Sequence, residues 1–322
     1  MAPPSKIMKY KRLFGPVSSR RLGKSLGIDL VPYKYCPLNC VYCEVQNTTH
    51  LQTTREEFFA AEDIYAELDD FMKAAPELDY ITFSGAGEPT LYSRIGEIIQ
   101  YIKAKYPQYK LALLTNGVLF GDSEVLKEVL PCDLILPSLD AATDAVYQKI
   151  NRPRAGLAVA ELIQGLINLR KAYQGKMWLE LFIVPGVNDN EAELSALSEA
   201  LSQIQPDLIQ LNSLDRPGSE TWVEAASGED LEAAKEFLAA RLTQPIEIIA
   251  KVKYGNGMNN IDQELVSFIQ TTLSRRPSTA EDLAKMLDIH INEVMKILRE
   301  LLLAHKLEAE RMKRGVFYKW IS

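Results

Sequence analysis

The sequence predicts an α/β protein, a partial (β/α)6 barrel followed by a C-terminal winged helix-turn-helix. Three observations carry this. From about residue 28, short apolar and β-branched runs alternate with longer helix-period segments, the pattern of a parallel sheet flanked by helices. Six such strands fill about 225 residues, against the roughly 250 that a complete eight-unit barrel takes. After a stretch rich in glycine and asparagine at 253–260, three helical segments precede two short strands.

In chain order, the first strand is expected at 27–31, running into a cysteine-bearing loop. A helix at 56–75 leads to the second strand, 78–84, and a helix at 94–105 to the third, 110–115. The helix at 123–129 precedes the fourth strand, 133–138. The helix at 157–173 precedes the fifth, 178–184, and the helix at 191–203 precedes the sixth, 207–212. The helices carry apolar positions at i, i+3 and i+4, whereas the strands are short, apolar and β-branched. A weaker run at 246–252 reads as a closing or edge strand. The aperiodic 253–260 stretch reads as a linker, giving domains at 1–255 and 262–322. In the second domain, helices at 262–275, 280–287 and 292–304 lead into strands at 306–312 and 316–320 around Lys313, Arg314 and Gly315.

The chain has 322 residues, 47% of them apolar and 25% charged, the composition of a soluble globular protein. Its formal charge is −7, unevenly spread: residues 1–45 carry +6, residues 273–322 carry +3, and the middle carries −16. No apolar run approaches the ~18 residues of a membrane span, and the basic N-terminus lacks a signal peptide's apolar core, so no membrane association and a cytoplasmic location are expected.

Four cysteines, three of them within eight residues, are too few and too crowded for a secreted disulfide framework. Cys36, Cys40 and Cys43 form a C-x3-C-x2-C spacing on the loop after the first strand. Three thiolates there can hold three corners of a cubane iron-sulfur cluster and leave one iron open. His50 allows a rival Cys3His zinc set. Cys132 could complete a four-thiolate cluster, but it sits at the start of a strand, the opposite face from the cluster loop, and reads as a core residue.

The second strand ends in Gly85-Ala-Gly87-Glu88-Pro89. Glycines let backbone approach a ligand, and an acid beside them suits an ammonium better than a phosphate.

With these two motifs in order on a repeating β/α chain, residues 25–250 resemble the radical S-adenosylmethionine (SAM) superfamily. The resemblance implies a [4Fe-4S] cluster on Cys36, Cys40 and Cys43, with SAM chelating the open iron. It implies Tyr42 near the adenine and Gly85, Gly87 and Glu88 at the methionyl ammonium, although alanine stands where the first of the paired glycines usually does. Further contacts are implied at strand ends, where the chain offers Asn116, Ser138 and Asp140. Ser138 and Asp140 serve equally well as cap and turn residues. The implied chemistry is reduction of the cluster by a flavodoxin- or ferredoxin-like donor, cleavage of SAM to methionine and a deoxyadenosyl radical, and hydrogen abstraction from a substrate.

The stretch 14–29, Pro32-x-Lys34-x-Cys36, Pro137–Ala141 and Asn151-Arg-Pro153 resemble a radical SAM group related to wyosine-base synthases. Those synthases carry extra N-terminal cysteines, and this chain has none before Cys36. Arg20, Arg21 and Lys24 could hold a phosphate or substrate carboxylate, or pair with acids of the middle segment. In the second domain, Asn292, Glu293, Lys296, Arg299 and Glu300 form a mixed face and only Arg311, Lys313 and Arg314 are plainly basic, which favours docking or packing over nucleic-acid binding. The preferred expectation is a radical SAM enzyme whose substrate, RNA or peptide, is not named by the sequence. Its rivals are an iron-sulfur redox-sensing regulator that binds DNA through the winged helix, and a zinc-stabilised binding protein.

Overall fold

The computed structural model describes residues 10–19, 21–214, 218–249, 263–275, 277–287, 289–312 and 315–321. Arg20, the 253–260 linker, Lys313 and Arg314 lie outside them. The chain divides into two compact units, Pro16–Lys251 and Met1–Gly15 with Val252–Ser322. The described residues 10–15 group with the second unit, where the Phe14 ring stacks on His290 at 5.1 Å.

The first unit is built on an eight-stranded sheet. Its strands are β1 (Leu13–Ser19), β2 (Gly23–Ile28), β5 (Tyr80–Phe83), β6 (Lys110–Thr115), β7 (Leu134–Pro137), β8 (Lys176–Phe182), β9 (Leu208–Asn212) and β10 (Ile246–Ile248), hydrogen-bonded in that order. A separate two-residue pair, β3 (Tyr35–Cys36) and β4 (His50–Leu51), lies in the loop after β2. From β2 to β10 every pairing is parallel. The six strands expected from the sequence therefore lie side by side in chain order, with β10 at one edge and an unforeseen β1 at the other.

Intervening helices are α1 (Ala61–Met72), α2 (Ile95–Lys105), α3 (Ser123–Val129), α4 (Asp144–Ile150), α5 (Val159–Ala172), α6 (Glu191–Ile204) and α7 (Gly228–Ala239). On α2, Ile95, Ile98, Ile99 and Ile102 are fully buried, one stripe at the 3.6-residue period. Two helices, α4 and α7, are not expected from the sequence. Thr143 caps α4, and Ser227 with Asp230 forms a capping box on α7, the local signals that start both. The first strand was expected at 27–31 because Leu30 and Val31 are apolar; both are buried in the loop rather than paired, and pairing with β5 ends at Ile28.

Strand alternation divides the sheet into two faces. One, carrying Leu26, Ile81, Leu113, Ile135, Leu179 and Ile209, is fully buried. On the other, Ala112, Leu134 and Leu136 pack with Leu22, Tyr80, Leu114 and Trp178.

The second unit holds α8 (Gln263–Arg275), α9 (Ala280–Leu287) and α10 (Ile291–Leu303), with an antiparallel sheet of β11 (Ser278–Thr279), β12 (Leu307–Met312) and β13 (Gly315–Trp320) in the order β11-β13-β12. Ile269, Leu283, Val294, Leu298 and Tyr318 are in its core. Among the described residues, no helix is long and apolar enough to cross a membrane.

Candidate functional site

The cysteine loop leaves the C-terminal end of β2 and is fastened from two sides. Asn39 N–H donates to the Asn151 carbonyl and Val41 N–H to the Ile150 carbonyl, both at 2.9 Å, so the end of α4 holds one side. Glu88 N–H donates to the Tyr35 carbonyl at 2.9 Å, so the loop after β5 holds the other.

That second contact explains the glycines. A Cβ on Gly87 would lie 2.1 Å from the Tyr35 carbonyl oxygen, and one on Gly85, whose φ is +148°, would lie 2.3 Å from the Asp29 carboxylate carbon. The glycine turn is thus pressed against the cysteine loop. The Ala86 N–H donates to Asp29 Oδ2 at 2.9 Å.

Each cysteine of the triplet faces one side-chain N–H. Asn116 Nδ2 donates to Cys36 Sγ at 3.4 Å, Asn151 Nδ2 to Cys40 Sγ at 3.4 Å, and Lys34 Nζ to Cys43 Sγ at 2.7 Å. Desolvation pushes the Cys36 thiol up to about 12 and raises Cys40 further. Thiols in such a place ionise when an electropositive centre binds them. Among the described residues, two buried polar atoms near them lack partners, the Tyr147 hydroxyl and the Asn151 side-chain carbonyl. Desolvated thiols ringed by N–H donors fit an iron-sulfur cluster, whose sulfurs accept such bonds.

Zinc fits poorly. His50 instead stacks on Tyr35 at 4.1 Å and meets the Thr49 hydroxyl at 3.1 Å. Cys132 is buried at the start of β7, where its carbonyl accepts the Tyr173 hydroxyl at 2.9 Å.

Glu88, 2% exposed, joins the loops after β5 and β6. Its Oε1 accepts the Thr90 and Thr115 hydroxyls, both at 2.6 Å, and the Thr90 N–H at 3.1 Å; its Oε2 accepts the Asn116 N–H at 2.8 Å. Desolvation raises the carboxyl and these donors counter it. Asp140 is a second hub. Its Oδ2 accepts the Tyr42 hydroxyl at 2.5 Å and Asn151 Nδ2 at 2.7 Å, and its Oδ1 accepts the Phe182 N–H at 3.0 Å. Burial pushes it up to about 6. The Tyr42 ring stacks on Phe182 at 3.8 Å. Ser138 donates its N–H to the Thr115 carbonyl at 3.1 Å and bridges to Glu180.

Tyr42, Gly85, Gly87, Glu88, Asn116 and Asp140 thus belong to one network around the cysteine loop. Lys34 and Asn151 were quoted in the sequence only as motif letters, and their contact with sulfur comes from chain segments that meet in space. Arg21 does not stay open for a phosphate: it pairs with Glu180 on β8 at 2.7 Å, whose other oxygen accepts Asn212 Nδ2 at 2.6 Å.

The family model of the radical SAM superfamily matches residues 30–197, and the chain belongs to that superfamily. Over 305 residues it is 32% identical to a protein of Brachyspira hyodysenteriae named GTPase Obg, matching 94% of this chain but spanning only 44% of that relative's length. It is also 32% identical over 295 residues to a UPF0026 protein of Helicobacter pylori, covering 91% of this chain and 92% of that one. Among solved structures, a radical SAM methyltransferase from Sphaerobacter thermophilus shares the fold at a TM-score of 0.54 and 19% identity, over 70% of this chain and 65% of that one. The superfamily uses a [4Fe-4S] cluster and SAM.

Proposed function

We propose that this chain is a radical SAM enzyme that cleaves SAM reductively and takes a hydrogen atom from an RNA or peptide substrate. The observation that carries it is the triplet Cys36, Cys40 and Cys43 with one side-chain N–H on each sulfur. When bound, the cluster supplies the electron for that cleavage. The three cysteines hold it, and Tyr42, Gly85, Gly87, Glu88, Asn116, Ser138 and Asp140 frame the SAM site beside it. Among the described residues Glu88 Oε2 takes a single donor, which keeps an acceptor position for the methionyl ammonium.

On the sheet face that carries Trp178, the apolar layer with Leu22 excludes water at the strand starts. Glu180 and Asn212 give the strand-end half a polar lining, which we read as the substrate side. The first unit we read as a partial barrel, and the second as a winged helix-turn-helix that docks the substrate or a partner. A flavodoxin- or ferredoxin-like donor and a cytoplasmic setting complete the reading.

Anaerobic reconstitution tests the reading: about four irons per chain with a broad visible band, then 5'-deoxyadenosine on adding dithionite and SAM. Iron without deoxyadenosine would favour the redox-sensing regulator instead.

A further inference from the structure

Lys34 is 4% exposed, yet it carries an ammonium group. Such a charge is costly to bury unless a counter-charge lies beside it. Among the described residues no carboxylate pairs with it. Its Nζ donates to Cys43 Sγ at 2.7 Å and to the Gln46 carbonyl at 2.8 Å. Its backbone is fixed as well: Lys34 N–H donates to the Thr49 hydroxyl at 2.8 Å, and its carbonyl accepts the His50 N–H at 3.1 Å. The ammonium is therefore held against the cysteine triplet, whose sulfurs, ionised once the cluster binds, are the negative charge available to it.

We propose that Lys34 sets the reduction potential of the cluster, raising it so that a low-potential donor can load the electron. The proposal rests on the cluster reading above. Adding one electron makes the cluster more negative, and a buried ammonium at one of its sulfurs stabilises that reduced form more than the oxidised one. No bond is made or broken at Lys34; the electron comes from the donor, and the ammonium keeps its protons. Asn116 and Asn151 act in the same sense on Cys36 and Cys40, but as neutral donors at 3.4 Å they act more weakly. The Pro32-x-Lys34-x-Cys36 stretch thereby acquires a physical role: it carries the charge to the cluster on the same loop as the ligands.

The test is a redox titration monitored by electron paramagnetic resonance on the full chain, reconstituted anaerobically with iron and sulfide, without SAM or substrate. Lys34→Gln and Lys34→Met should both shift the midpoint negative, lowering the reduced-to-oxidised ratio at a fixed potential on the order of tenfold, or about 59 mV for one electron. Lys34→Arg should stay close to wild type. An unchanged midpoint in the neutral variants overturns the proposal. So does loss of iron from both neutral variants with retention in Lys34→Arg, which would make Lys34 a strut for the loop. A wild-type chain that takes up no cluster overturns the functional reading itself and is told apart by its iron content.

Discussion

The guanidinium of Arg21 reaches the carboxylate of Glu180 at 2.7 Å across 159 residues of sequence. Both side chains are mostly buried, so the pair ties the β1–β2 turn to β8. It also removes one of the charges that a polyanion would have used.

Arg21→Ala should therefore destabilise the fold by roughly 1–3 kcal/mol, because it leaves Glu180 short of its cationic donor. Lys24→Ala, at an exposed side chain, should stay within about 0.5 kcal/mol of wild type. Urea unfolding of the two variants compares them directly, and equal midpoints would remove the structural role given to the ion pair.

Glu88→Ala should cost more than SAM affinity. It strands two hydroxyls and two backbone N–H groups in a buried place, a loss of roughly 3 kcal/mol or more. Glu88→Gln keeps an acceptor oxygen and should lose less. Thermal melts read the stability loss separately from equilibrium binding of SAM to the reconstituted protein.

Cys36→Ala, Cys40→Ala and Cys43→Ala should each abolish reconstitution of the cluster, whereas Cys132→Ala should retain it. Cys132 is packed at the opposite end of the strands, so its variant should show only a packing loss of about 1–3 kcal/mol. Iron and sulfide analysis of the four variants decides the ligand set.

Asp140 gives a pH signature. Burial raises its carboxyl from 3.8 to about 6, so between those values the folded chain keeps a proton that the unfolded chain has lost. Its contribution to stability is present below pH 3.8, falls as pH rises to about 6, and is flat above, a change of about 3 kcal/mol. The difference in unfolding free energy between wild type and Asp140→Asn, followed from pH 4 to 7, should show that slope. A difference that does not vary with pH would place Asp140 outside this account.

Much of the architecture is legible in the sequence because it follows from local periodicity. The six parallel strands appear in the expected order since each is a short apolar run bounded by a helix pattern. The helices α4 and α7 were missed for different reasons: α4 spans only seven residues, whereas α7, twelve residues long, announces itself mainly through the capping box at Ser227 and Asp230. β1 was missed because its Leu-Phe-Gly-Pro-Val-Ser-Ser run, with Gly15 and Pro16 at its centre, does not show strand alternation, and it is the sheet edge beside β2 that recruits it.

What the sequence determined by itself is the superfamily chemistry: cysteine spacing and an acid after paired small residues are local patterns, and the chemistry of a cluster needs those types at that spacing. Tertiary structure decided which side chains act on it. Gly85 and Gly87 are needed where two loops touch, and Glu88 and Asp140 became hydrogen-bond hubs. Arg21 became the partner of an acid on β8, and Lys34, Asn116 and Asn151 came to face the sulfurs. The reason is range. A motif fixes residues a few positions apart, whereas a buried polar group is satisfied by whatever the fold brings within about 3 Å of it, and Asn151 lies 111 residues from the cysteine it touches.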